Sequence, residues 1–223
     1  MNRNIRAIAQ IKKYSELINL LVIVFSIVLM LVIYFIVSQS DPMEPEDFRE
    51  MLLFGVGGAY LGTNGFLKIF YIADEVPKGL SFGMTRKKLF IGLRVADFLE
   101  LLVVVILALI LVTEADANVI LKVAAFLYGL FMWIEGLAGN NVIRYGKNVF
   151  WIYYIVFMVA CIGLPRLTHV FPESATPFVM IFDFFTNSFF NQGVVWVALA
   201  AFILAGMIVN WITFRKLAVN YIV

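Results

Sequence analysis

Few side chains in this sequence have the chemistry for catalysis or metal binding. Cys161 and His169 are each the sole residue of their kind. One cysteine leaves no internal disulfide and no multi-cysteine metal site, and in its apolar run it reads as a small buried hydrophobe. One histidine between Thr168 and Val170 supports neither a zinc site nor a catalytic triad. A nucleotide-binding P-loop needs G-x-x-x-x-G-K-[ST]. At Gly146-Lys147 the first glycine is replaced by Asn141 and the final hydroxyl residue by Asn148. The remaining candidates are Arg94, Asp97, Glu100 and Glu135, ionisable groups set in apolar stretches. Such groups are costly in a membrane, so they pair with one another or line a pathway. Arg94 and Asp97 are three residues apart, share a helix face and are expected to pair; structural pairing outranks a proton relay.

The elements that carry these groups are dictated by composition. The chain has 223 residues, 63% hydrophobic and only 14% charged. A soluble domain carries about 25% charged residues, so many apolar side chains here must face lipid. An all-α integral membrane protein is expected, a single transmembrane domain over residues 1–223. Six apolar segments fall at about 17–38, 51–72, 93–113, 119–140, 149–164 and 193–213. About 20 residues are needed to cross a ~30 Å hydrocarbon core. The fifth segment is short and ends at Pro165. The first run is too long for a signal peptide and reads as a retained span.

Loop charges set the orientation. With six spans, fourteen Lys and Arg residues fall on one side, against Arg49, Lys122 and Arg166 on the other. This bias places both termini in the cytoplasm. Ile5, Ile8 and Ile11 among four cations predict an amphipathic helix lying on the inner leaflet before the first span. In Gly55–Gly65, Gly58-x-x-x-Gly62 predicts close helix packing, within the subunit or at a dimer seam, with Asn64 bonding across the contact.

Two connections stand out. Ala73–Gly92 contains Pro77 and Gly79, which are expected to interrupt the preceding helix, and then S-F-G-M-T-R-K-K-L-F. With Thr85 as a cap, a short amphipathic helix there can dock on a partner; the plainer reading is that Arg86, Lys87 and Lys88 only obey the positive-inside rule. Pro172–Gln192 holds about a dozen apolar residues interrupted by Asp183. Such runs read as re-entrant or interfacial, and an aromatic belt is the alternative.

The chain resembles the permease subunit of type-2 ATP-binding-cassette exporters, the family of bacterial drug, lantibiotic and peptide exporters. The resemblance lies in the layout and in G-M-T-R-K-K-L-F-I-G (Gly83–Gly92), Arg144-Tyr145-Gly146 and W-I-T-F-R-K (Trp211–Lys216). It implies a non-catalytic subunit in a bacterial cell membrane, with a second permease copy or paralogue and separate ATPase subunits that carry ATP and Mg. It implies that Phe82, Gly83, Met84, Thr85, Arg86, Lys87, Lys88 and Leu89 form the coupling helix that meets the ATPase. It also implies an extracellular re-entrant segment carrying Phe178, Phe182, Asp183, Phe185 and Phe189. No cofactor or metal is expected in the chain, and the cargo is expected to be hydrophobic or amphipathic. A gradient-driven transporter using Asp97, Glu100 or Glu135, and a membrane sensor or scaffold, are the competing readings.

Overall fold

The computed structural model describes all residues except 1–2, 40–43, 112–115, 172, 174–175, 188–190 and 218–223. Among the described residues the regular structure is helical, without strands. Three stretches are long and apolar enough to cross a membrane: Asn4–Ser38, Ala117–Tyr145 and Gln192–Phe214. The other apolar segments are helical as well, but they do not meet that measure. The chain clusters into two compact units, one through Ile120 and one beginning at Leu121.

The first unit begins with α1 (Arg3–Ser38), a single unbroken helix. The separate amphipathic helix expected before the first span is therefore absent as an element. No Gly or Pro interrupts the run, and Ile11, Lys12, Ser15 and Asn19 are buried along it. A glycine- and proline-free segment held on one face has no reason to break.

The next helix runs back as α2 (Pro45–Gly62), a π turn (Thr63–Leu67) and α3 (Lys68–Ser81). Its register against α1 is read from contacts. Tyr34 meets Phe48 at 4.4 Å between ring centroids, a Cβ on Gly55 would press on Met30, and Ser15 reaches Glu75. The π turn has a local cause. Thr63 Oγ1 donates to the carbonyls of Ala59 and Tyr60 at 3.0 and 3.1 Å, and Asn64 Nδ2 to that of Tyr60 at 3.2 Å. Side chains thus satisfy carbonyls that the widened turn releases.

Pro77 and Gly79 do not interrupt this helix, contrary to the expectation from sequence: α3 passes both and ends at Ser81. An i,i+4 ion pair of Lys78 with Asp74 spans the proline. Gly79 serves packing instead, since a Cβ there would lie 2.4 Å from Leu89 Cδ1. Gly83, at φ +73°, reverses the chain. Helix α4 (Arg86–Leu111) then runs parallel to α1, with Gly92 against Ile8.

In the second unit, α5 (Ala117–Ile134), a π turn (Glu135–Gly139) and α6 (Asn140–Tyr145) form one continuous helix. Gly146, at φ +75°, ends it. Helix α7 (Lys147–Met158), a π turn (Val159–Gly163) and α8 (Leu164–Val170) follow, then α9 (Thr176–Thr186) and α10 (Gln192–Phe214). Pro165 does not stop the fifth apolar segment: it enters the first turn of α8 directly after the π turn. Proline is tolerated there because a first-turn N–H needs no partner in its own helix.

Helix α10 packs along α5–α6 through small residues. A Cβ on Gly129 would meet Phe202 at 2.6 Å, and one on Gly136 would lie 3.0 Å from the backbone of Asn210. Gly58 and Gly62, by contrast, face open space within the chain, so the G-x-x-x-G spacing makes no close contact inside this subunit.

Candidate functional site

The main polar feature is a buried charge cluster among α1, α3 and α4, all within the first unit. Asp97 is 3% exposed and stands at its centre. Lys12 Nζ donates to its Oδ1 at 2.6 Å, and Lys68 Nζ lies 3.1 Å from the same oxygen. Arg94 Nη2 lies 3.2 Å from Oδ2, the i,i+3 pairing expected from sequence. Lys12 also approaches Glu75 Oε2 at 3.9 Å, and Ser15 Oγ donates to Glu75 Oε1 at 2.6 Å. One carboxylate therefore joins cations from three helices, a higher-order contact than the pair that sequence spacing predicts.

About one helical turn further along α4, Glu100 Oε1 accepts from Asn19 Nδ2 at 2.6 Å and from Asn64 Nδ2 at 3.2 Å. The cross-helix bond expected of Asn64 is present, and its acceptor is Glu100. Burial of Lys12, Ser15 and Asn19 follows from their spacing, because positions i, i+3 and i+7 share a helix face. Burying charge in low dielectric is unfavourable unless the charges are paired and hydrogen-bonded; here the charges are paired, while Asp97 Oδ2 and Arg94 Nε make no hydrogen bond among the described residues.

The buried pairing of Lys12 and Lys68 carries no signal in the sequence, because each counts equally well as a loop cation in a topology tally. In the six-span tally expected from sequence, setting aside the buried Lys12, Lys68, Arg94 and Lys122 changes fourteen against three to eleven against two.

The Ser81–Phe90 segment is not a free-standing helix. Its first half is the α3–α4 turn, and Arg86 opens α4. Thr85 caps that helix, its Oγ1 accepting from Lys88 N at 3.4 Å. The segment has two faces. Met84, Leu89 and Phe90 are buried, Leu89 completely, whereas Phe82 is 49% exposed and Gly83, Thr85, Arg86, Lys87 and Lys88 face outward. Met84 and Leu89 therefore hold the turn together and are not on offer to a partner. The start of α1 lies beside this turn, since Asn4, Arg6, Phe82 and Met84 line a shared cavity of about 330 Å³.

The same turn contains Gly79-Leu80-Ser81-Phe82-Gly83, which has the letters of the G-x-S-x-G nucleophile elbow. That motif requires a strand-to-helix turn. Here Ser81 ends a helix, and its Oγ donates to the Lys78 carbonyl at 2.7 Å. The spacing is coincidental.

In the second unit Glu135 is buried at the π turn, where Asn210 Nδ2 donates to its Oε2 at 3.1 Å. Asn140 Nδ2 reaches Asn210 Oδ1 at 2.8 Å and Thr213 Oγ1 at 2.9 Å. Lys122 is 1% exposed; its Nζ donates to the Phe185 carbonyl at 2.8 Å and also to Gln192 Oε1. This fixes α9 against α5 and the start of α10.

Of the aromatic segment's expected residues, Phe178, Phe182, Asp183 and Phe185 are on α9, and Phe189 lies outside the described residues. Asp183 is exposed, and the Phe185 ring meets Phe126 edge-on at 5.8 Å. Among the described residues no group of three or more His, Cys, Asp or Glu is arranged to hold a metal ion.

Comparison with protein-family models, curated proteins and solved structures finds no match to this chain.

Proposed function

We propose that this chain is the membrane-embedded, non-catalytic permease subunit of an ATP-driven exporter of the type-2 ATP-binding-cassette kind. In this reading it crosses the bacterial cell membrane six times, with both termini in the cytoplasm. Two permease subunits line a path for a hydrophobic or amphipathic cargo, and separate ATPase subunits supply ATP and Mg. Support comes from the three apolar helices of spanning length and from the asymmetry of cations in the six-span tally.

The observation that carries the proposal is the two-faced α3–α4 turn. Its apolar side is locked into the fold by Met84, Leu89 and Phe90, while Phe82, Arg86, Lys87 and Lys88 point outward. Helix α4 continues from this turn into the Asp97 cluster, which ties it to α1 and α3. A push on the turn is thereby passed to three helices together, which is what a partner needs in order to bias a two-state equilibrium. The carboxylates that a gradient-driven transporter would use are held in pairs and hydrogen bonds: Asp97 by three cations, Glu100 by two amides and Glu135 by Asn210.

The test is first whether a neighbouring gene encodes an ATPase with G-x-x-x-x-G-K-[ST], and then co-purification of the chain with that ATPase, comparing the wild type with Arg86→Glu/Lys87→Glu. Loss of assembly and of stimulated ATP hydrolysis, with thermal stability unchanged, is expected. Intact assembly in the reversed variant, or transport by the lone chain in proteoliposomes without ATP, would overturn the proposal.

A further inference from the structure

Helices α1 and α4 touch where Ile8 meets Gly92, and along their outer side they leave a groove of about 1040 Å³. That is the size of sites that enclose drug-sized ligands, which are mostly apolar with a few placed polar groups. The walls follow this pattern, with Leu17 and Leu20 facing Leu99 and Val103.

The unusual residue is Glu16. It is half-buried in the groove wall and has no hydrogen bond or ion pair among the described residues. Across the groove, Glu100 lines the facing wall, and its charge bears on Glu16. One oxygen of Glu100 is occupied by Asn19 and Asn64. Three cations, Lys12, Lys13 and Lys88, line the groove as well, and the charge of Lys12 also bears on Glu16. Lys12 is committed to Asp97, and Lys13 and Lys88 are exposed, where solvent screens them. A carboxylate pair set midway along an apolar groove is complementary to a positive charge carried on an apolar body.

We propose that the α1–α4 groove binds an amphipathic organic cation, its positive centre against Glu16 and its apolar portion along Leu17, Leu20, Leu99 and Val103. As a statement about cargo this rests on the exporter reading; as a statement about binding it rests on the groove alone. It narrows the cargo from hydrophobic compounds in general to those bearing a positive charge.

The experiment measures binding of tetraphenylphosphonium to the full chain in nanodiscs made of zwitterionic lipid. Tetraphenylborate serves as the probe of matched shape and opposite charge. Saturable binding of the cation is expected, with tetraphenylborate at least tenfold weaker. Glu16→Gln is expected to weaken cation binding about tenfold, and Val103→Trp to abolish it by filling the groove. Both variants are checked for unchanged thermal unfolding, and Leu20→Trp is a second groove-filling variant should Val103→Trp fail to fold.

Equal binding of both probes, or an unaffected Glu16→Gln variant, would overturn the inference. So would displacement of the probe by phospholipid equally in wild type and Glu16→Gln, which would make this a lipid groove. If the probe does not bind and Val103→Trp instead dissociates a dimer, the groove is an interface between copies. Probe binding without ATPase docking would refute only the exporter reading, and docking without probe binding only this one.

Discussion

Replacing Asp97 with Asn keeps the shape of the side chain and removes the one charge shared by Lys12, Lys68 and Arg94. Those cations stay buried, and Lys12 keeps Glu75 at 3.9 Å. Removing one partner of a buried ion pair costs about 3–5 kcal/mol, because the surviving charge is left uncompensated. For a chain of this size each kcal/mol lowers the melting temperature by roughly 2–4 °C, so a fall of about 6–20 °C is expected. The assay is thermal unfolding of the detergent-purified chain, followed by circular dichroism and by monodispersity on gel filtration. A compensating change sharpens it: Lys68→Met in the Asp97→Asn background removes one of the cations that Asp97 paired and should recover part of the loss. The coupling energy between the two sites is then read from a double-mutant cycle. Unfolding of Asp97→Asn within about 1 kcal/mol of the wild type would refute the claim that this carboxylate organises the three helices.

Other substitutions separate packing from surface roles. Gly136→Ala should destabilise by about 1–3 kcal/mol, since its Cβ would meet the Asn210 backbone at 3.0 Å, whereas Gly58→Ala, which faces open space, should be neutral or stabilising; chemical denaturation of both variants checks the contrast. Leu89→Ala should cost about 2–5 kcal/mol because Leu89 is fully buried, while Arg86→Glu/Lys87→Glu should change unfolding by less than about 0.5 kcal/mol and act only on partner assembly. Lys122→Met removes the donor to the Phe185 carbonyl and to Gln192, so hydrogen exchange across Thr176–Thr186 should rise at least tenfold while α1–α4 is unchanged.

The helical character of this chain, its apolar segments and its charge asymmetry follow from composition and order alone, because each depends on runs of similar residues. The Arg94–Asp97 pair was legible for the same reason: three-residue spacing on a helix fixes a shared face before any tertiary contact forms. Local rules misled where a neighbouring element decides the outcome. Pro77 and Gly79 read as breakers, yet Leu89 packs where the Gly79 side chain would be and the helix continues. Pro165 reads as a stop, and a preceding π turn carries it into the next helix. The opening cations read as a separate surface helix, but burial of Ile11, Lys12, Ser15 and Asn19 makes them part of α1.

The sequence by itself determined that charged residues sit in apolar surroundings and must find partners. Which partners they find was decided by the tertiary structure. Lys12, Lys68 and Asp97 are far apart in the chain, and only the packing of α1, α3 and α4 brings them within 2.6 and 3.1 Å. The same packing split the α3–α4 turn into a buried and an exposed face and left Glu16 in an apolar groove. No period or spacing encodes those outcomes, because they depend on how separate helices meet.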